Sequence, residues 1–168
     1  SVIAATLTVM IYISLKNFPH IVEYPHMIPF AWKIPYTIEE CGGPNFKKKT
    51  LDGINKIRIK TKKRYKVFSG YRSKKTNEKA GGVSNSQHLN GIAVDLWVPI
   101  KDRSKFYNAA KSVGFSAFGW GNKSVHIDFG RRRWWTYDDE GNDVGGKQRC
   151  KFIHKAPQEF KKDFKACL

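Results

Sequence analysis

Acidic residues are scarce in this chain: Asp and Glu number 14 against 31 Lys and Arg, a formal net charge of +17. So large an imbalance works against the compact state and attracts polyanions over roughly a Debye length, so an anionic partner is expected. Cysteine is nearly absent. Cys41, Cys150 and Cys167 stand far apart with no C-x-x-C pair, which excludes a cysteine-based zinc knuckle and a dense disulfide framework and leaves room for one disulfide. Long apolar runs are missing too. Residues 2–15 fall short of the roughly 20 that a spanning helix needs, and Thr6, Thr8, Tyr12 and Ser14 interrupt them, so no transmembrane segment is expected. No Lys or Arg precedes that run and no small-x-small site follows it before Lys16, which speaks against a secretory signal. The sequence has neither an internal repeat nor a low-complexity tract.

What is present suits one domain with extensions. The 168 residues are 40% hydrophobic and 14% aromatic, enough apolar surface to offset the entropy of ordering, which excludes global disorder. Residues 6–15 place Leu7, Val9, Ile11, Ile13 and Leu15 on one side of an extended chain and predict a strand. Pro19, Pro25, Pro29 and Pro35 then remove so many N–H donors that residues 1–36 read as an extended arm. A compact domain is expected over residues 37–137. Leu51, Ile54 and Ile57 have helical spacing, residues 65–69 alternate as a strand, and a loop rich in Gly, Ser and Asn runs to Asn90. Residues 92–98 suit a buried strand, residues 104–113 a helix capped by Ser104, and residues 124–129 and 134–137 two further strands. A basic tail, residues 138–168, ends in an amphipathic stretch with Phe160, Phe164 and Leu168.

The chemistry concentrates in two segments. His88 lies in the glycine-rich loop, and Asp95 lies inside the apolar strand that follows, where a carboxylate is costly unless a cation or donor answers it. His126 sits in a second apolar strand. Two strands of one sheet can bring His88, Asp95 and His126 together as an N/N/O set, which zinc accepts and which leaves a fourth position open, the catalytic rather than the structural arrangement. Taken singly, each histidine is more commonly a packed or hydrogen-bonded residue.

The order of motifs carries more weight than any one residue. Residues 86–95 read S-Q-H-L-N-G-I-A-V-D, residues 69–73 read S-G-Y-R-S ahead of Asn77, and residues 81–85 read G-G-V-S-N. Residues 125–130 read V-H-I-D-F-G, followed by Arg133 and Trp135. Over about residues 37–137 this combination resembles the zinc D-alanyl-D-alanine carboxypeptidase family, whose fold is shared by vancomycin-resistance dipeptidases, phage endolysins and the hedgehog signalling domain.

The resemblance implies an α+β fold, with an antiparallel sheet of about four strands carrying the site and helices packed on one face. It implies that His88, Asp95 and His126 ligate Zn2+ and that Arg72 holds the substrate carboxylate or carbonyl, which a guanidinium fork is shaped to do. Many members carry a carboxylate base three residues before the second zinc histidine, or a histidine two before it; here Lys123 and Ser124 stand there. Asp128 is the nearest carboxylate in sequence, either as base or as a partner of His126 or Arg133, and Glu78 is the alternative. The implied function is zinc-dependent hydrolysis of a peptide bond in peptidoglycan stem peptides or crosslinks. The implied setting is extracellular, periplasmic or virion-associated, with the arm as a tether to a larger assembly. Two other readings stand beside it. A catalytically idle zinc module would bind cell wall or a protein, and a basic structural protein would bind nucleic acid through charge alone.

Overall fold

The computed structural model describes residues 30–165 and Cys167. The strand expected over residues 6–15 lies outside the described residues. The architecture is α+β, as expected, built on one sheet.

Helix α1 (Lys48–Thr61) is followed by strand β1 (Val67–Ser69), the short helix α2 (Lys74–Lys79) and strand β2 (Ala93–Trp97). Helix α3 (Arg103–Ser112) leads to β3 (Ala117–Trp120), β4 (Ser124–Asp128), β5 (Arg133–Tyr137) and β6 (Asp143–Val144), and helices α4 (Gln148–Lys151) and α5 (Gln158–Phe164) close the chain. Among the described residues no helix is long and apolar enough to cross a membrane.

The sheet runs in the order β1-β2-β4-β3-β5-β6. It has six strands where about four were expected, and it is mixed. β3 and β5 are parallel, while every other neighbouring pair is antiparallel. The extra central strand is the cause. β3 slots between β4 and β5, so the segment from Asp128 to Arg133 must pass beneath Ala117 and bring β5 up alongside β3 in the same direction. That crossing is pinned by Ser116, whose N–H donates to the Asp128 carbonyl at 3.0 Å and whose hydroxyl donates to the Gly130 carbonyl at 2.5 Å.

Alternation along the strands gives the sheet two unlike faces. Val94, Leu96, Val98, Phe118, Trp120, Val125 and Ile127 turn to one side and are buried against Ile54 and Ile57 of α1, Phe106 and Tyr107 of α3 and Phe160 of α5. Tyr36 and Phe160 flank the 37–137 segment on either side and both enter this core. The Tyr36 hydroxyl donates to the Tyr65 carbonyl at 2.8 Å and accepts from the Tyr65 N–H at 2.7 Å. Phe160 packs its ring against Tyr107, Trp120 and Trp134, with centroids 5.2–5.6 Å apart.

Helix α3 starts one residue earlier than expected and is not capped by Ser104. Asp102 occupies the N-cap position, and the Ser104 hydroxyl instead donates to Glu159 at 2.6 Å, tying α3 to α5.

Candidate metal centre

The opposite face of the sheet carries the polar residues picked out by sequence. Asp95 on β2 and His126 on β4 are directly paired in register, so both side chains rise from the same face side by side. His88 reaches them from the loop before β2. That loop is anchored on α1: the Gly91 carbonyl accepts from the Lys47 N–H at 3.0 Å and from the Thr50 hydroxyl at 3.1 Å. Gly91 has φ +68°, and a Cβ there would run into the Asn45 carbonyl, so the turn that aims His88 requires glycine.

The hydrogen bonds around each ring define which nitrogen faces inward. His88 Nδ1 lies 2.6 Å from the Gly70 carbonyl, which can only accept, so Nδ1 carries the proton and Nε2 offers its lone pair. His126 Nε2 lies 3.0 Å from the buried Asp128 carboxylate, so Nε2 carries the proton and, in the neutral ring, Nδ1 offers the lone pair. Both free nitrogens face Asp95. His88 Nε2 is 3.2 Å from Asp95 Oδ2, His126 Nδ1 is 2.8 Å from Asp95 Oδ1, and the two nitrogens are 3.2 Å apart.

Three acceptors this close repel one another unless a cation or protons sit among them. The donor set fits zinc. Zn–N and Zn–O bonds of about 2.0–2.1 Å in a tetrahedron separate neighbouring ligand atoms by ~3.3 Å, close to the spacings found. His88, Asp95 and His126 are thus the residues that could hold a metal, with ligand atoms all within 4.8 Å of one another.

The electrostatics follow from burial and partners. His88 and His126 are 2% and 6% exposed, and Asp128 is fully buried. Burial alone would push the Asp95 carboxyl up, but hydrogen bonds and charge from His126 and His88 outweigh it and hold Asp95 well below the usual carboxylate range. Burial likewise disfavours charge on His126, and the Asp128 and Asp95 carboxylates overcome it and raise that imidazole. Asp128 is held down in turn, against its own burial, by His126, by Arg133 at 2.5 Å and by the Gly130 N–H at 2.6 Å.

Arg72 is the fourth residue brought to the cluster. Its Nη2 donates to Asp95 Oδ2 at 2.5 Å and its Nε to the Ser69 hydroxyl at 2.6 Å. Arg72 also lines a cleft of about 410 Å³ with Tyr71, Lys74, Asn77, Glu78 and Leu89, so it bridges the cluster and the cleft. Glu78 is exposed in the cleft wall, and Lys123 points to solvent in the turn between β3 and β4. Asp128 stands on the outer nitrogen of His126, with the imidazole between it and the converging lone pairs.

On the other flank, sequence reasoning picked out Trp135 as part of a motif but not its place beside His126, and it missed Tyr137. Trp135 on β5 brings its ring to within 4.9 Å of the His126 ring, and Tyr137 lies two residues further along the same face. The alternation R-W-W-T-Y puts Arg133, Trp135 and Tyr137 on one side. Only the insertion of β3 decides that this side looks onto His126.

No curated protein matches the chain at a significant level. A family model, peptidase M15, matches residues 32–128, more than half of the chain and a span that includes His88, Asp95 and His126. The converging lone pairs on the sheet and the matched span agree, and the chain belongs to the peptidase M15 family of zinc metallopeptidases.

Proposed function

We propose that this protein hydrolyses a peptide bond in the stem peptides or crosslinks of bacterial peptidoglycan. The observation that carries the reading is the meeting of three metal-ready lone pairs with the Arg72 side chain at the edge of a cleft. Zinc held by His88, Asp95 and His126 supplies Lewis acidity for the carbonyl and makes water more acidic. The protein's own side chains supply position. Gly70 and Asp128 fix the two imidazoles in the tautomers that aim Nε2 and Nδ1 inward, and Arg133 holds Asp128 ionised for that task. We therefore read Asp128 as orienting His126. Glu78, the carboxylate of the cleft lining, is the residue we assign to take the proton from water.

Arg72 has three unspent N–H donors beyond those given to Ser69 and Asp95 and can hold a substrate carboxylate or carbonyl from the cleft side. The net charge of +17 favours an anionic wall. The disulfide between Cys150 and Cys167 supports action outside a reducing cytosol.

A second reading is favoured by one observation. The position three residues before His126 is Lys123, exposed and cationic, so an idle zinc module of the same fold is the alternative. One experiment separates them: zinc-loaded protein is incubated with purified muropeptides and products are resolved by mass, with and without a chelator. Chelator-sensitive release of a stem-peptide fragment supports the peptidase. Stoichiometric zinc without cleavage supports the idle module.

A further inference from the structure

Two glycines open a trough beside the metal centre. Gly119 on β3 is paired with His126 on one side and with Trp135 on the other, and Gly121 is hydrogen-bonded to Ser124 at 2.9 Å. Because neither bears a side chain, the aromatic residues of β5 lean across β3 towards β4. A Cβ on Gly119 would sit 2.5 Å from Trp135 Cε2 and 2.7 Å from its Nε1, so the indole lies directly on the Gly119 backbone. A Cβ on Gly121 would meet Tyr137 Cδ2 at 3.4 Å, so the phenol ring overlies Gly121. The Trp135 and Tyr137 rings meet edge to face, with centroids 6.2 Å apart. Tyr137 thus stands on the metal face of the sheet, beside the row Trp135, Gly119, His126, Asp95 and in ring contact with its outermost member. A phenol hydroxyl has one hydrogen to give.

The geometry points to Tyr137 as a catalytic residue, its hydroxyl donating a hydrogen bond to the carbonyl oxygen of the scissile amide as negative charge builds there. Trp135 is its positioning residue. This rests on the peptidase reading and supplies what that reading lacks on the β5 side. When water adds to the carbonyl carbon, a C–O bond forms and the π pair moves onto the carbonyl oxygen, which accepts the Tyr137 hydrogen bond. Return of that pair breaks the C–N bond, and the proton given up by water leaves with the amine. Tyr137 gives up no proton in either half. A phenol is protonated through the neutral range, and burial of Tyr137 raises its titration further, so it remains a donor. Donors preset towards a developing oxyanion are worth about 10²–10³ in kcat each.

The test compares wild type with Tyr137→Phe, which keeps the ring over Gly121, in two assays on zinc-loaded protein. Binding of a phosphinate dipeptide, a stable tetrahedral anion, should weaken about 10- to 100-fold, the worth of a hydrogen bond to a charged group. Turnover of muropeptides should fall by about 10²-fold in kcat with KM little changed, while zinc content stays at the wild-type value. Gly119→Ala, which must push the indole away, should reproduce both losses without losing zinc. Equal phosphinate affinity in wild type and Tyr137→Phe overturns the assignment, as does a wild type that binds zinc but no phosphinate. A wild type that binds the phosphinate through Tyr137 yet leaves muropeptides intact refutes the proposed substrate and upholds the assignment.

Discussion

At the scale of single residues, the site is a set of charges that answer one another. Asp128 is fully buried, and what keeps it ionised is Arg133 on one side and the His126 N–H on the other. Its loss should therefore be felt at the metal. Asp128→Asn is expected to weaken zinc binding by about 10- to 100-fold, measured by competition with a chromogenic chelator, because the amide is a poorer partner for the outer nitrogen of His126. Arg72→Ala should retain zinc and lose turnover by orders of magnitude, and Arg72→Lys should not rescue it, since an ammonium cannot span Ser69 and Asp95 as the guanidinium fork does. The cluster of His88, Asp95 and His126 was legible in the sequence because the residues recur in one order with turn glycines between them. Tyr137 was not legible. Strand alternation puts it on a face, but its neighbours on that face depend on which strand lies next door, and that is a long-range choice.

At the scale of elements, the missed pieces have local reasons. β3 spans four residues, is buried on both faces and so shows no polar alternation, which hid it between Gly114 and Gly121. α2 has only Asn77 buried, so it carries no apolar stripe; it is started by Ser73, whose hydroxyl accepts the Thr76 N–H at 3.2 Å. The amphipathic end of the sequence was legible at Phe160 and Phe164, which α5 carries, while Leu168 lies outside the described residues. A helix of seven residues has little stability of its own and depends on the core it enters through Phe160. Phe160→Ala should cost about 3–5 kcal/mol in denaturant unfolding, because a ring touching Tyr107, Trp120 and Trp134 leaves a cavity that stiff aromatic neighbours cannot fill. A cost below about 1 kcal/mol would show that α5 is a loose appendage.

At the scale of the molecule, the cysteines define how the chain is closed. Cys150 and Cys167 form a disulfide across a separation of 17 residues that fastens the C-terminal helices, a loop whose closure is worth about 3 kcal/mol. Mild reduction should lower stability by about that amount and leave zinc content unchanged, because the bridge is built from α4 and the segment after α5 and not from the sheet. Cys41 is the free thiol among the described residues, and burial pushes it up to about 12. Native protein should therefore react with no thiol reagent at neutral pH, and unfolded, unreduced protein should show one reactive thiol. The overall charge was legible from composition, whereas the pairing of the cysteines was not, since three cysteines allow three single bridges. The central claim is that one metal ion sits among His88 Nε2, Asp95 and His126 Nδ1. Anomalous diffraction at the zinc edge from zinc-loaded crystals tests it most directly. The account predicts one strong peak about 2.0–2.2 Å from those three residues. A peak elsewhere, or none there at full zinc loading, would contradict it.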